Sequence, residues 1–224
     1  MAKKETDKRD EFQSVEQALT TTEAFIEKYQ KQILTGIGII VLTVLAILAF
    51  RNFYLRPQEI AAENELYKAE NYFSVDSFEV ALNGNFEFAG FKEIASKYRL
   101  TSSGNVATAY AGICYYKLGE YQHAIKYLSQ YDGKDNYLTA TVTGLIGDSY
   151  VELNETGKAV GYFEKAAGLD NQVTAPIYLK KAGLAYESVN KPDKAVKSFT
   201  TIKEKYPQSN EASDIDKYIA RIQK

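Results

Sequence analysis

Hydrophobic and polar residues alternate along this chain in three different regimes. In the first 33 residues Phe12, Val15, Leu19, Thr22, Ile26, Tyr29 and Ile33 recur at spacings of three and four, the single stripe of an amphipathic helix. Ser14 with Gln17, or Thr20 with Glu23, suits its N-terminal cap. Two heptads are too few for a coiled coil. The stripe therefore reads either as a face that docks on a partner or a membrane surface, or as an extension of the apolar helix after it. Residues 1–10 ahead of it are charged and read as disordered. The second regime runs from Ile33 to Phe50, eighteen residues without a charge. At about 1.5 Å per residue this helix reaches roughly 27 Å, against roughly 30 Å of bilayer hydrocarbon. Tyr29 on one side and Phe53 and Tyr54 on the other suit the two interfaces. A charged tail precedes the run, and Arg51, Asn52, Phe53 and Tyr54 come directly after it, with neither a small-residue cleavage site nor a lipid-bearing Cys. The pattern predicts a transmembrane helix over 33–50 that meets lipid, not a cleaved leader.

The third regime is a repeat. The stretches GICYYKLGEYQHAIKYLSQY from Gly112, GDSYVELNETGKAVGYFEKA from Gly147 and GLAYESVNKPDKAVKSFTTI from Gly183 align without gaps. Their first glycines lie 35 and 36 residues apart. Three residues on stand Tyr115, Tyr150 and Tyr186, then Ala124, Ala159 and Ala195, then Leu128, Phe163 and Phe199, with Pro207 after the third unit. Turn residues fall between the two halves of each unit, at Leu118–Glu120, Asn154–Thr156 and Asn190–Pro192. Each unit therefore predicts a pair of antiparallel helices. Glycine in the first helix admits the second, the alanines offer a matching small surface, and the tyrosines fill the space towards the next unit.

These positions resemble the tetratricopeptide repeat, with its Gly-x-x-Tyr, Ala-x-x-x-Phe and Pro pattern at a period near 34. The resemblance implies an all-α chain: one N-terminal transmembrane helix followed by a right-handed superhelical tetratricopeptide solenoid. The expected organisation is a tail with an amphipathic helix over 1–32, the anchor over 33–50 and a divergent first repeat with an insertion over 57–104. Three units come next, over 105–138, 140–173 and 176–209, and then a capping helix over 210–224. In the divergent unit, residues 58–73 read as the first helix and 88–98 as the second, because Phe91, Ile94 and Tyr98 echo Phe199, Ile202 and Tyr206. Residues 74–87 between them are longer than a repeat turn, with a turn at Asn83-Gly84-Asn85. Ile215, Tyr218, Ile219 and Ile222 form one face of the last helix, as an end cap requires. In this fold the first helices line the concave face, which implies a protein-binding surface at Tyr116, Lys117, Asp148, Glu152, Lys180, Leu184 and Glu187. The two-Lys, two-Asn clamp of some chaperone adaptors is absent from these positions.

Composition narrows the chemistry. The net charge of −2 carries no basic footprint for nucleic acid. One His and one Cys cannot supply a structural zinc site or an internal disulfide. Cys114 and His123 are the sole nucleophile–base candidates, and both sit within one repeat, where Cys114 reads as a small packing residue. Gly36-x-Gly38 is not the spacing of close helix packing in membranes. No cofactor, metal, small-molecule substrate or catalytic residue is expected. Residues 57–224 carry 19 basic and 22 acidic side chains, a near balance that names no ligand.

The layout as a whole, with ALNGNFEFAGFKEIASKY over 81–98 and AYAGICYYKLGEYQHAIKYL over 109–128, resembles the Bacteroidetes form of the YfgM-like ancillary subunit of the SecYEG translocon. That resemblance implies an inner-membrane protein beside the translocon subunits SecYEG, partnering a periplasmic chaperone or peptidyl-prolyl isomerase and handling exported polypeptides. Lys28 and Lys31 balance Arg51 and Arg56 across the anchor, while the whole tail holds six basic residues, which favours a cytoplasmic N-terminus and a periplasmic solenoid. Three alternatives stay open from sequence: a structural or adaptor subunit of another envelope assembly (secretion or gliding machinery), an enzyme built on Cys114 and His123, and a regulator of reversed topology.

Overall fold

The computed structural model describes residues 28–133 and 135–223, so the stripe from Phe12 to Ile26 and its capping pairs lie outside the described residues. The chain divides into two units, one ending at Tyr54 and the other beginning at Leu55. In the first, helix α1 spans residues 28–49, and none of its residues is buried. Its aliphatics point outward on every side, Leu34 at 60% exposure and Leu42 at 67%. Its two threonines donate to carbonyls one turn back, Thr35 Oγ1 to Lys31 at 2.7 Å and Thr43 Oγ1 to Ile39 at 2.8 Å. A helix that satisfies its own polar groups and is apolar all round is what hydrocarbon tolerates. Among the described residues it lies in the one helical segment long and apolar enough to cross a membrane. A π-helical stretch, Phe50–Leu55, comes after it.

The second unit is helical throughout: α2 (Arg56–Ser74), α3 (Phe78–Asn83), α4 (Phe91–Lys97), α5 (Ser102–Lys117), α6 (Tyr121–Leu128), α7 (Asn136–Glu152), α8 (Thr156–Ala167), α9 (Thr174–Ser188), α10 (Pro192–Lys205), a 3₁₀ turn (Asn210–Asp214) and α11 (Ile215–Ile222). Two of the first helices begin where side chains satisfy free amides. Thr101 Oγ1 accepts from Gly104 N at 3.0 Å, and Asp135 Oδ1 accepts from Leu138 N at 2.7 Å. The first helices of the three aligned units, α5, α7 and α9, end by one repeated device. Gly119, Asn154 and Asn190 take φ values of 78°, 59° and 57°, the left-handed turn that stops a helix. The next residues, Glu120, Glu155 and Lys191, donate their amides back to the carbonyls of Tyr115, Tyr150 and Tyr186 at 2.9, 2.8 and 2.9 Å. The in-phase tyrosines thus supply the acceptors that close each first helix, whatever their rings do.

Packing follows the glycines. A Cβ on Gly112 would sit 2.6 Å from Leu128 Cγ, one on Gly147 would sit 2.6 Å from Phe163 Cε1, and one on Gly183 would overlap the ring of Phe199. The partner of each glycine is therefore the large residue of the second helix. The alanines expected to meet the glycines are instead fully buried beside them, at 0% exposure for Ala124, Ala159 and Ala195. The tyrosines also depart from expectation, because they pack chiefly within their own unit. Tyr115 lies against His123 and Tyr127, ring centroids 5.2 and 5.1 Å apart, and Tyr150 stacks on Tyr162 at 5.4 Å. Tyr186 reaches back through its hydroxyl, which donates to Glu164 of the preceding unit at 2.6 Å. Between units the decisive ring is Tyr178, which lies directly on Gly144. The buried side chains form two clusters, and Tyr150 packs against both. Pro207 stands exposed just past α10.

The first repeat differs most from its sequence reading. The segment expected to be a long connection contains α3, with Ala81 and Leu82 buried. The next helix begins at Phe91 instead of residue 88. The residues between, 84–90, form a closed loop. Contacts distant in sequence tie this repeat to its neighbour. Glu59 on α2 accepts the amides of Ser102 and Ser103 at 2.7 and 2.9 Å and the Ser103 hydroxyl at 2.6 Å, covering the N-terminus of α5. Beyond α10, Ser209 Oγ accepts from Ala212 N at 3.2 Å, and Ile215 of α11 is 1% exposed against the second cluster.

Glycine contacts of opposite kind give opposite expectations. Gly147→Ala should destabilise the second unit by about 1–3 kcal/mol through overpacking against Phe163. Gly161→Ala, on the open side of α8 with nothing near its Cβ, should stabilise it by about 0.5–1 kcal/mol through helix propensity. Chemical denaturation of the two variants reads the opposite signs. For Glu59, burial would raise the carboxyl, but the Ser103 hydroxyl and the Ser103 and Ser102 amides outweigh it and hold the carboxyl below its ordinary value. Its stabilisation is therefore fully present above the ordinary glutamate range and fades as pH falls through the lowered value. Glu59→Gln should lose about 1 kcal/mol near neutrality, with the gap to the parent closing below about pH 4.

Candidate functional site

Three first helices, α5, α7 and α9, bring the polar candidates together. Asp148 on α7 is half-buried and accepts both of its contacts from Lys181 Nζ on α9, at 2.8 and 2.6 Å. Lys181 lies 5.7 Å from the Tyr178 ring centroid and 5.9 Å from that of Phe163. Beside this pair a groove of about 330 Å³ is lined by Asp148, Val151, Phe163, Lys181, Leu184 and Ala185, with Thr156 and Ser188 at its ends. Leu184 and Val151 are 40% and 39% exposed, an apolar surface left open within it. One charge of each sign and two open aliphatics suit a peptide that carries its own polar backbone.

Tyr116 on α5 extends this surface. It is half-buried, and its ring meets Tyr121 edge-on at 5.7 Å. Burial, then the charges of Asp148 and Glu152, push its hydroxyl above the ordinary tyrosine value. The hydroxyl of Tyr121 pairs with exposed Glu152, and burial, then that carboxylate, raises the phenol. Tyr116 on α5, Asp148 and Glu152 on α7 and Leu184 on α9 thus lie on three successive first helices, with Lys181 paired to Asp148.

The remaining candidates are committed elsewhere. Lys117 lies 5.8 Å from the Phe78 ring, on the side of α3. Lys180 Nζ donates to Asp214 at 2.7 Å and lies 4.7 Å from the Tyr218 ring centroid. Glu187 is held by Arg221 at 3.0 and 2.5 Å. The C-terminal segment therefore uses Lys180 and Glu187 to seat itself on α9, and neither presents a free charge to a ligand. Sequence reasoning passed over Lys181 in favour of its neighbour. The signal was present: Asp148 lies one residue after the glycine of its repeat, and Lys181 two before the glycine of the next. Opposite charges at those offsets face each other across α7 and α9.

A wider cleft of about 510 Å³ lies between α8 and α10. Its carboxylates, Glu164 and Asp170, already accept the hydroxyls of Tyr186 and Tyr206. Burial and those carboxylates push both phenols up to about 12. This cleft is a seam between units whose acceptors are satisfied.

Cys114 is fully buried, and burial pushes its thiol up to about 12. His123 is exposed, paired with Glu120 at 3.1 Å and stacked on Tyr115. A thiol so far above neutrality offers no thiolate for nucleophilic work. Among the described residues no group of three or more His, Cys, Asp or Glu side chains is placed to hold a metal ion.

Comparisons with known proteins bear on the fold. Residues 142–173 and 179–209 each match the tetratricopeptide repeat. No curated protein matches the chain in sequence. Among solved structures, one of MamA is 16% identical with a TM-score of 0.54, covering 72% of this chain and 86% of that one. A second MamA structure is 18% identical with a TM-score of 0.51, covering 69% and 92%. The MamA RS-1 ArsTM double mutant is 16% identical with a TM-score of 0.52, covering 84% and 94%. At these identities the likeness is one of fold.

The state of Cys114 yields a direct test. Maleimide should leave the folded chain unlabelled at pH 7–8 and label it fully in denaturant; rapid labelling of the native chain would place the thiol outside the core. From the in-phase repeats, the matched segments and the shared fold, the second unit of the chain contains tetratricopeptide repeats.

Proposed function

We propose that this chain is a single-pass inner-membrane protein whose tetratricopeptide domain holds an extended peptide or partner helix across α5, α7 and α9, from Tyr116 to Leu184. In this reading it is an accessory subunit of the Sec translocon, linking SecYEG to a periplasmic chaperone or peptidyl-prolyl isomerase and handling exported polypeptides. The anchor is 33–50, the tail 1–32 is cytoplasmic, and the divergent repeat, the three units and the cap beyond it are periplasmic. The observation that carries the binding role is the groove between α7 and α9, where open Leu184 and Val151 flank the Asp148–Lys181 pair. Tetratricopeptide repeats are protein-interaction modules, and this groove has the mixed chemistry that such a role needs. The outward aliphatics of α1 support the anchor, the basic tail supports the orientation, and the resemblance over 81–98 and 109–128 supports the translocon.

Affinity purification of the full chain from crosslinked native membranes tests partner and place together. Translocon subunits should be recovered with the parent chain. Leu184→Glu combined with Lys181→Glu should reduce recovery of chaperone or exported chains about tenfold, while the membrane-bound amount stays constant. Recovery of secretion or gliding components without translocon subunits would overturn the translocon reading. Protease added to spheroplasts should digest residues 57–224; their protection would reverse the orientation.

A further inference from the structure

A second surface lies outside the groove, on the loop between α3 and α4. Phe86 at its tip is 110% exposed, as open as in an extended peptide. Exposed phenylalanines are ordinary singly, but the backbone beneath this one is tied down. Gly84 and Ala89 form a bridge across the loop, and Asn85 N donates to Phe88 O at 3.1 Å. Glu87 N donates to Asn85 Oδ1 at 2.8 Å, and Ala89 N to Glu65 Oε2 on α2 at 3.2 Å. Lys92 Nζ donates to Asn83 Oδ1 at 3.1 Å. Phe88, two residues on, is 7% exposed and stacks on Tyr72 with centroids 4.8 Å apart. The stems cross so closely that a Cβ on Gly84 or Gly90 would overlap the opposing backbone, and Gly84 adopts a φ of 75°. In Asn-Phe-Glu-Phe, one ring anchors the loop and the other is presented.

Charge identifies what it is presented to. The near balance of the whole second unit hides a local excess. Residues 59–93 hold eight acidic side chains against Lys68 and Lys92, joined by Lys117 of α5 beside Phe78, while residues 94–224 are net basic. Glu87 adjoins Phe86, Asp76 and Glu79 lie on the segment leading into the loop, and all three are exposed. Such surroundings repel an anionic lipid surface and attract a basic one. We infer that the Phe86 loop is a preformed anchor for a partner protein bearing an apolar pocket rimmed by Lys or Arg. A fixed backbone leaves little ordering to be lost on binding, and an aromatic anchor bordered by a polar rim is a common composition of a protein interface. This surface is separate from the groove, and its partner can be lost without affecting groove binding.

The test places a photoreactive benzoylphenylalanine at position 86 of the full-length chain in native membranes, with position 137 (Tyr137, also exposed) as the control site. Irradiation should give one discrete polypeptide adduct from position 86 and none from position 137. Glu79→Lys with Glu87→Lys should lower its yield about tenfold or more, through like-charge repulsion. An adduct that survives the charge reversal, an adduct of the chain with itself, or no protein adduct overturns the inference. Because the chain has no tryptophan, Phe86→Trp adds a single reporter. Its emission should not shift when the purified chain is reconstituted in phosphatidylcholine vesicles or in phosphatidylglycerol vesicles. A blue shift in either would make lipid the occupant and overturn the inference. Phe86→Ala should leave the thermal unfolding of the chain unchanged, which separates loss of the anchor from loss of the fold.

Discussion

The contact on which the second unit depends is the approach of a large side chain to a helical glycine, made three times: Leu128 on Gly112, Phe163 on Gly147 and Phe199 on Gly183. Glycine in a helix is costly in isolation, by roughly 0.5–1 kcal/mol against alanine. Here that cost is offset because the missing Cβ lets two backbones come close enough to bury an aromatic ring almost completely: Phe163 is 2% and Phe199 0% exposed. The first helices must then be lined with small residues, which is why α5 holds Ala107, Ala109 and Ala111 at 0% exposure. The second helices carry the bulk, and their outer faces are free to be polar. Alternation of a small-residue helix and a bulky one generates the repeat.

The two units solve opposite solvation problems with the same secondary structure. In α1 nothing is buried and the two threonine hydroxyls are satisfied inside the helix, so its outer surface carries no unmet polar group apart from its ends. In the repeats the apolar surface is turned inward, and polar groups hold the seams between units: Tyr186 on Glu164, Lys181 on Asp148, Lys180 on Asp214.

Whatever repeats in phase was readable from sequence alone, because Gly, Tyr, Ala and a large apolar residue do not return three times at one period by chance. The helix stops were equally legible, since Gly119, Asn154 and Asn190 are residue types that accept a left-handed turn. The contacts that broke the period were not. Tyr178 on Gly144 joins successive units through residues that lie ahead of the aligned stretches, where Val142 and Ala109 hold the equivalent positions one unit earlier. Glu59 covers the start of α5 from 44 residues away, and no local rule points across that distance. Helix α3 was hidden because six residues are too few to show a period. At the candidate groove, Lys180 and Lys181 are indistinguishable by type. Only the packed backbone decides that one faces Asp214 and the other Asp148.

The seam between the last two repeats is held in two chemically distinct ways. Where α9 meets α8, the neutral phenol of Tyr186 donates to Glu164; where α9 meets α7, the charged amine of Lys181 meets Asp148. Added salt screens an interaction between two full charges far more than one between a carboxylate and an uncharged donor. Ionic strength therefore bears more on the Asp148–Lys181 edge of α9 than on its Tyr186–Glu164 edge, and less on either than on a fully exposed pair.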